Sequence, residues 1–115
     1  MLNTKICPIE AALNLIGHKW KVLILRNLLS RNNQRFSDLL KGINGISQKM
    51  LTQQLRQMEQ NGLISRKVYA EVPPKVEYSL TEIGLSLQPI LESISTWGKG
   101  YLERQGNQQE DFIND

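Results

Sequence analysis

The stretch Ser47–Tyr69, SQKMLTQQLRQMEQNGLISRKVY, changes its period midway. Leu51, Leu55 and Met58 recur at helical spacing and share one side. Ser47 suits the N-cap of that helix, and Asn61-Gly62 suits its end. From Leu63 to Tyr69 the residues are β-branched and aromatic enough for a strand. Ala70 to Lys75 contains Pro73-Pro74 and reads as a loop, and Val76 to Leu80 reads as a second strand. A capped helix running straight into a long-tipped hairpin is the centre of the expected fold.

Upstream, Ser37 is expected to cap a short helix from Asp38 to about Lys41. Phe36 should be extended before it, and Ser30–Arg35 a polar connection. Gly42-Ile43-Asn44-Gly45 is a turn. Lys19 to about Leu29 carries Trp20, Leu23, Ile24, Leu25 and Leu28, the broad stripe of a largely buried helix. Pro8 opens a first helix with Ile9, Ala12, Leu13 and Ile16 at helical spacing, and Gly17 ends it. Downstream, Thr81 caps a last helix in which Pro89 imposes a kink or a fresh start. Four helices, a hairpin and a helix predict a mainly α fold with a β-hairpin wing, an α+β winged helix-turn-helix. Residues 1–6 read as an N-terminal arm, 7–104 as the domain and 105–115 as a polar tail.

The chain has 115 residues, 40% hydrophobic and 22% charged, which fits one globular domain. No apolar run approaches the ~18 residues of a membrane span. Met1–Ile9 lacks a signal peptide's apolar region, so a cytoplasmic location and no membrane partner are expected. A single cysteine, Cys7, excludes an intramolecular disulfide. With a single histidine, His18, neither a metal site nor a cofactor is expected.

The net charge of +3 is unevenly spread. Through Lys75, twelve Lys and Arg stand against four acids; beyond it, two bases stand against seven acids. The basic front suggests a polyanionic partner, although Lys and Arg line most solvated surfaces. Opposite Leu51, Leu55 and Met58 the long helix carries Gln48, Lys49, Thr52, Gln53 and Arg56, with no carboxylate among them. Amides can bond adenine, cations can bond guanine, and a threonine methyl can meet thymine. Any amphipathic helix has a polar face; the adjoining hairpin is what favours double-stranded DNA. Arg66, Lys67 and Lys75 on the wing are expected on backbone phosphates, with edge-strand protection the plainer reading. Arg35 and Ser37 flank a helix start that can meet another phosphate.

The last helix carries Leu87, Ile90, Leu91, Ile94, Trp97 and Tyr101 on one apolar face. With Ile9, Leu13 and Ile16 of the first helix it is expected to form a homodimer surface through the terminal helices. Folding back on its own domain is the alternative. Cys7 stands at the mouth of the first helix near Lys5, where the helix dipole favours a thiolate. It reads as a candidate sensor or as an inert small hydrophobe. Catalysis is not expected: a helix end separates Cys7 from His18, and no glycine-rich phosphate loop occurs. No residue constellation in the sequence names a small-molecule effector.

Several motifs occur in a fixed order: Cys7-Pro8-Ile9, Leu15-Ile16-Gly17-His18-Lys19-Trp20, Arg35-Phe36-Ser37-Asp38-Leu39 and Ile46-Ser47-Gln48-Lys49-Met50-Leu51. Gly62-Leu63-Ile64-Ser65-Arg66 and Pro73-Pro74-Lys75-Val76-Glu77-Tyr78 complete them. Together they resemble the HxlR-type winged helix-turn-helix regulators, relatives of the MarR group, from about Cys7 to Trp97. The resemblance implies a homodimeric bacterial transcription regulator on an inverted-repeat operator. For some members it also implies a response to electrophiles or oxidants through an N-terminal cysteine, here Cys7, and related regulators suggest a small-molecule effector between the last helix and the DNA-binding lobe. A winged-helix protein-interaction module without its own DNA site is the alternative, since fold does not dictate function.

Overall fold

The structure, a computed structural model, describes residues 5–106. Among them the elements run α1 (Pro8–Ile16), α2 (Lys19–Ser30), β1 (Gln34–Arg35), α3 (Phe36–Gly42), α4 (Gln48–Gln60), β2 (Ile64–Tyr69), β3 (Lys75–Leu80), α5 (Glu82–Leu85) and α6 (Gln88–Gly106). The core forms around α2, whose Ile24, Leu25 and Leu28 are fully buried. Leu39 of α3, Leu51, Leu55 and Met58 of α4, and Leu63, Ile64 and Leu80 of the hairpin close around them. Each such side chain removed from water contributes about 1.5–3 kcal/mol. His18 caps α2 through Nδ1, which accepts the Trp20 N–H at 3.2 Å. Gly62, at φ +78°, makes the left-handed turn that lets α4 stop and β2 begin.

The segment expected as a plain polar connection is a stitched corner. Gln34 and Arg35 form β1, which pairs antiparallel with β3 and gives the sheet order β1-β3-β2. Gln34 is buried, and its amide nitrogen donates to the backbone oxygens of Asn27 (2.8 Å) and Arg31 (2.5 Å) at the end of α2. The Asn32 side-chain oxygen accepts the Leu80 N–H at 3.0 Å, and the Ser79 hydroxyl donates to the Asn33 side chain. Gln34 can be buried here because its amide finds backbone partners, which no hydrophobic pattern announces.

Ser37 is not the cap of the short helix. The helix α3 starts at Phe36 with Arg35 as N-cap. Asp38 reaches back from the third helical position, and its carboxylate accepts the Arg35 N–H at 3.0 Å. The same carboxylate lies 3.7 Å from the Arg31 guanidinium. Ser37, within the first turn, stays exposed.

Pro89 gives a fresh start rather than a kink. Thr81 caps α5 by accepting the Gly84 N–H at 3.1 Å, and α6 restarts at Gln88 with Pro89 in its first turn. Gly84 lets α5 press on the hairpin: a Cβ there would lie 2.2 Å from the Leu63 oxygen. α6 reaches Gly106, two residues into the segment read as a tail. Residues 1–4 of the expected arm and 107–115 of the expected tail lie outside the described residues. No helix among the described residues is long and apolar enough to cross a membrane.

Candidate nucleic-acid interface

The helix α4 presents its two faces as its spacing dictates. Leu51, Leu55 and Met58 are buried, while Gln48, Lys49, Gln53 and Arg56 are exposed and Thr52 is half-buried. The Ser47 hydroxyl caps the helix by accepting the Met50 N–H at 3.0 Å. The five expected residues line one open concavity along α4, joined by Gln57 and Gln60, which the sequence reading omitted. Their spacing four residues beyond Gln53 and Arg56 is the signal that would have added them. Gln54, by contrast, turns inward: it is buried, and its amide nitrogen meets the Met50 sulfur at 3.4 Å. Lys49 and Arg56 form no ion pair among the described residues, so both cations are available to a ligand.

The wing's three bases do not share a face. Along β2 and β3 the side chains alternate, and the register sets Arg66 opposite Tyr78 and Lys67 opposite Glu77. Arg66 and Tyr78 stand on the face that carries the buried Ile64 and Leu80, towards α4. There the Arg66 Nε lies 3.4 Å from the Glu59 carboxylate. Lys67 and Lys75 gather on the other face around Tyr69, with their ammonium groups 4.9 and 4.7 Å from its ring centre. Lys75 also pairs with Glu77 at 3.5 Å. The Tyr69 hydroxyl donates to Glu77 at 2.9 Å, the leading cause that holds this carboxyl below its usual range; partial burial opposes it and Lys75 reinforces it. The Val72–Pro73 peptide bond at the tip is cis.

The expected dimer residues divide. Ile16 is buried in the protomer's own core, and Leu87 and Leu91 pack against that core. Ile16 sits at the end of α1, a helix packed on α2; Leu91 lies on α6, which also meets α2, and Leu87 stands just before α6. Ile9, Leu13, Ile90, Ile94, Trp97 and Tyr101 remain exposed. Across its 19 residues α6 buries none, and Trp97 and Tyr101 stack on each other at 5.7 Å. Between α2 and α6 runs an apolar groove of about 500 Å³, lined by Val22, Leu23, Leu29, Leu91 and Ile94 with Arg26 and Glu92. Cys7 is exposed at the N-cap of α1, where its side chain accepts no cap hydrogen bond.

The HxlR-like helix-turn-helix family description matches residues 15–106, most of the chain. The chain belongs to the HxlR-like helix-turn-helix family. Among curated relatives, the HTH-type transcriptional regulator YdeP of Bacillus subtilis (strain 168) is 47% identical over 98 residues, 85% of this chain and 76% of that protein. Among solved structures, the HTH-type transcriptional regulator ytcD is 47% identical, with a TM-score of 0.80 over 85% of this chain and 99% of that one. The redox regulator HypR in its oxidized form is 44% identical, with a TM-score of 0.76 over 82% and 96%. This HxlR-like chain is thus a transcriptional regulator of the helix-turn-helix type with a winged-helix fold, not an enzyme. In the HxlR-like frame, α3 and α4 are the helix-turn-helix and β2–β3 the wing.

Proposed function

We propose that this HxlR-like protein is a sequence-specific regulator that binds an inverted-repeat operator as a homodimer. The outward face of α4 carries the reading: amides, a hydroxyl and two unpaired cations on a helix anchored by its buried side. Gln48, Lys49, Thr52, Gln53 and Arg56 face base edges or nearby phosphates in the major groove. Arg35, Ser37, Arg66, Lys67 and Lys75 contact the backbone and the neighbouring groove. The homodimer is supported by α6, a long helix with no buried residue whose Ile90, Ile94, Trp97 and Tyr101 stand in water, as do Ile9 and Leu13 of α1. A second copy laid on this stripe about a two-fold axis would remove it from water, at about 25 cal/mol per Å² of apolar surface. The two α4 helices would then address half-sites about 34–36 Å apart.

Selection of random duplex DNA by the reduced protein at near-physiological salt tests the reading. An enriched inverted repeat with half-sites about one helical turn apart supports it. Binding that salt erases, with no preferred sequence, points instead to the protein-interaction module.

Cys7 is the proposed entry point for a thiol-reactive effector, an electrophile or oxidant. The structural similarity to the redox regulator HypR and the exposure of Cys7 beside Ile9 support this. Modification there would alter α1 where it meets the proposed partner. Cys7→Ser should bind the operator but ignore electrophiles; a serine variant that responds like the parent removes the sensor.

A further inference from the structure

A small concavity of about 240 Å³ lies between α4 and the wing, lined by Thr52, Leu55, Arg56, Glu59, Arg66 and Tyr78. Its polar groups come from two elements that approach different grooves of a duplex. With α4 in the major groove and the wing at the minor groove, the strand that separates those grooves must cross the gap between them. The concavity sits at that gap.

Its contents suit one phosphodiester. Arg56 is exposed and forms no ion pair or hydrogen bond among the described residues. The Tyr78 hydroxyl likewise finds no hydrogen-bond partner among them. Burial pushes the Tyr78 phenol above its usual range, so at neutral pH it remains protonated and can donate. Arg56, Glu59, Arg66 and Tyr78 thus share the wall of one concavity. Arg66 is already bound to an anion, the Glu59 carboxylate at 3.4 Å. With two cations and one carboxylate, the concavity has one positive charge to spare.

We propose that this concavity seats a single backbone phosphate of bound DNA between Arg56 and the Tyr78 hydroxyl, and that Glu59 is a built-in competitor that holds Arg66 until the phosphate takes its place. Glu59 therefore lowers the affinity for every duplex and restrains nonspecific binding. The inference rests on the DNA-binding reading above and adds Tyr78 and Glu59 to it as specific participants. No base is touched, so the effects are independent of sequence.

The test measures affinity against salt for the selected operator and for a random duplex. Tyr78→Phe removes one uncharged donor. It should weaken both duplexes about tenfold, leave the salt slope unchanged and leave thermal stability near the parent's. Glu59→Gln should tighten both duplexes, since Arg66 no longer has to give up a carboxylate to meet the phosphate. Ethylation of single phosphates should reveal one position per half-site that blocks the parent and no longer discriminates in Tyr78→Phe. A parent that binds no duplex overturns the DNA-binding reading together with this inference. A parent that binds its operator, with both variants indistinguishable from it, overturns the phosphate seat alone.

Discussion

Arg66 and Lys67 are adjacent in the chain, yet they leave the wing on opposite faces. Arg66 pairs across the hairpin with Tyr78 and leans on Glu59, whereas Lys67 stands opposite Glu77 over the Tyr69 ring. Their contacts to DNA should therefore be independent. Arg66→Gln and Lys67→Gln should each weaken all sequences alike and lower the salt slope by about one, and the double variant by about two. A slope unchanged by Lys67→Gln would remove it from the phosphate contacts.

Base readout predicts a different signature for Gln53, which is exposed at the middle of α4. Gln53→Ala should cost about 1–3 kcal/mol on the operator and little on random duplex. Titrations of both duplexes check this, and equal losses on the two would mean that Gln53 does not read sequence.

The two ends of α1 predict opposite behaviour for two isoleucines. Ile16 is 7% exposed and packs in the protomer core, whereas Ile9 is 70% exposed. Ile16→Ala should cost about 2–5 kcal/mol in denaturant unfolding at any protein concentration. Ile9→Ser should weaken association in sedimentation equilibrium and leave the fold of each protomer intact. If Ile9→Ser leaves the association constant unchanged, α1 is not part of the dimer surface.

Gly84 marks where α5 touches the hairpin. Its replacement by alanine sets a methyl 2.2 Å from the Leu63 oxygen, so backbone must move. A loss of about 1–3 kcal/mol is expected from the overpacking. An unchanged midpoint in urea would show that the contact yields without cost.

Acid should loosen the wing. The folded Glu77 carboxyl titrates below its usual range, chiefly because Tyr69 donates a hydrogen bond to the carboxylate. A lowered folded value stabilises the wing above the unfolded carboxyl's titration, and that stabilisation disappears as pH falls through the folded value. The parent's melting temperature should therefore drop more on acidification than that of Glu77→Gln. NMR titration of Glu77 in Tyr69→Phe should show its midpoint moving upward; no movement would remove the hydrogen bond as its cause.

Much of the fold was legible along the chain because hydrophobic period reports directly on burial. Leu51, Leu55 and Met58 define the inner face of α4 wherever that helix lies, and the polar face opposite them follows from the same geometry. Ser47, Thr81 and Gly62 act through their own backbone neighbourhoods, so their turns and caps could be read locally. The ordered motifs and this patterning sufficed to identify a winged helix-turn-helix.

What tertiary structure alone decided lies where distant residues satisfy one another. Gln34 reads as polar and is buried because Asn27 and Arg31 carbonyls await it, and β1 exists only because β3 is beside it. Ile16 and Ile9 share one helix and one chemistry; packing on α2 makes the first core and leaves the second exposed. Arg66 and Tyr78 meet through strand register, and Glu59 reaches them because α4 turns into the wing at Gly62. Period and capping are local properties of the chain, whereas partnership between separate elements depends on how those elements are brought together.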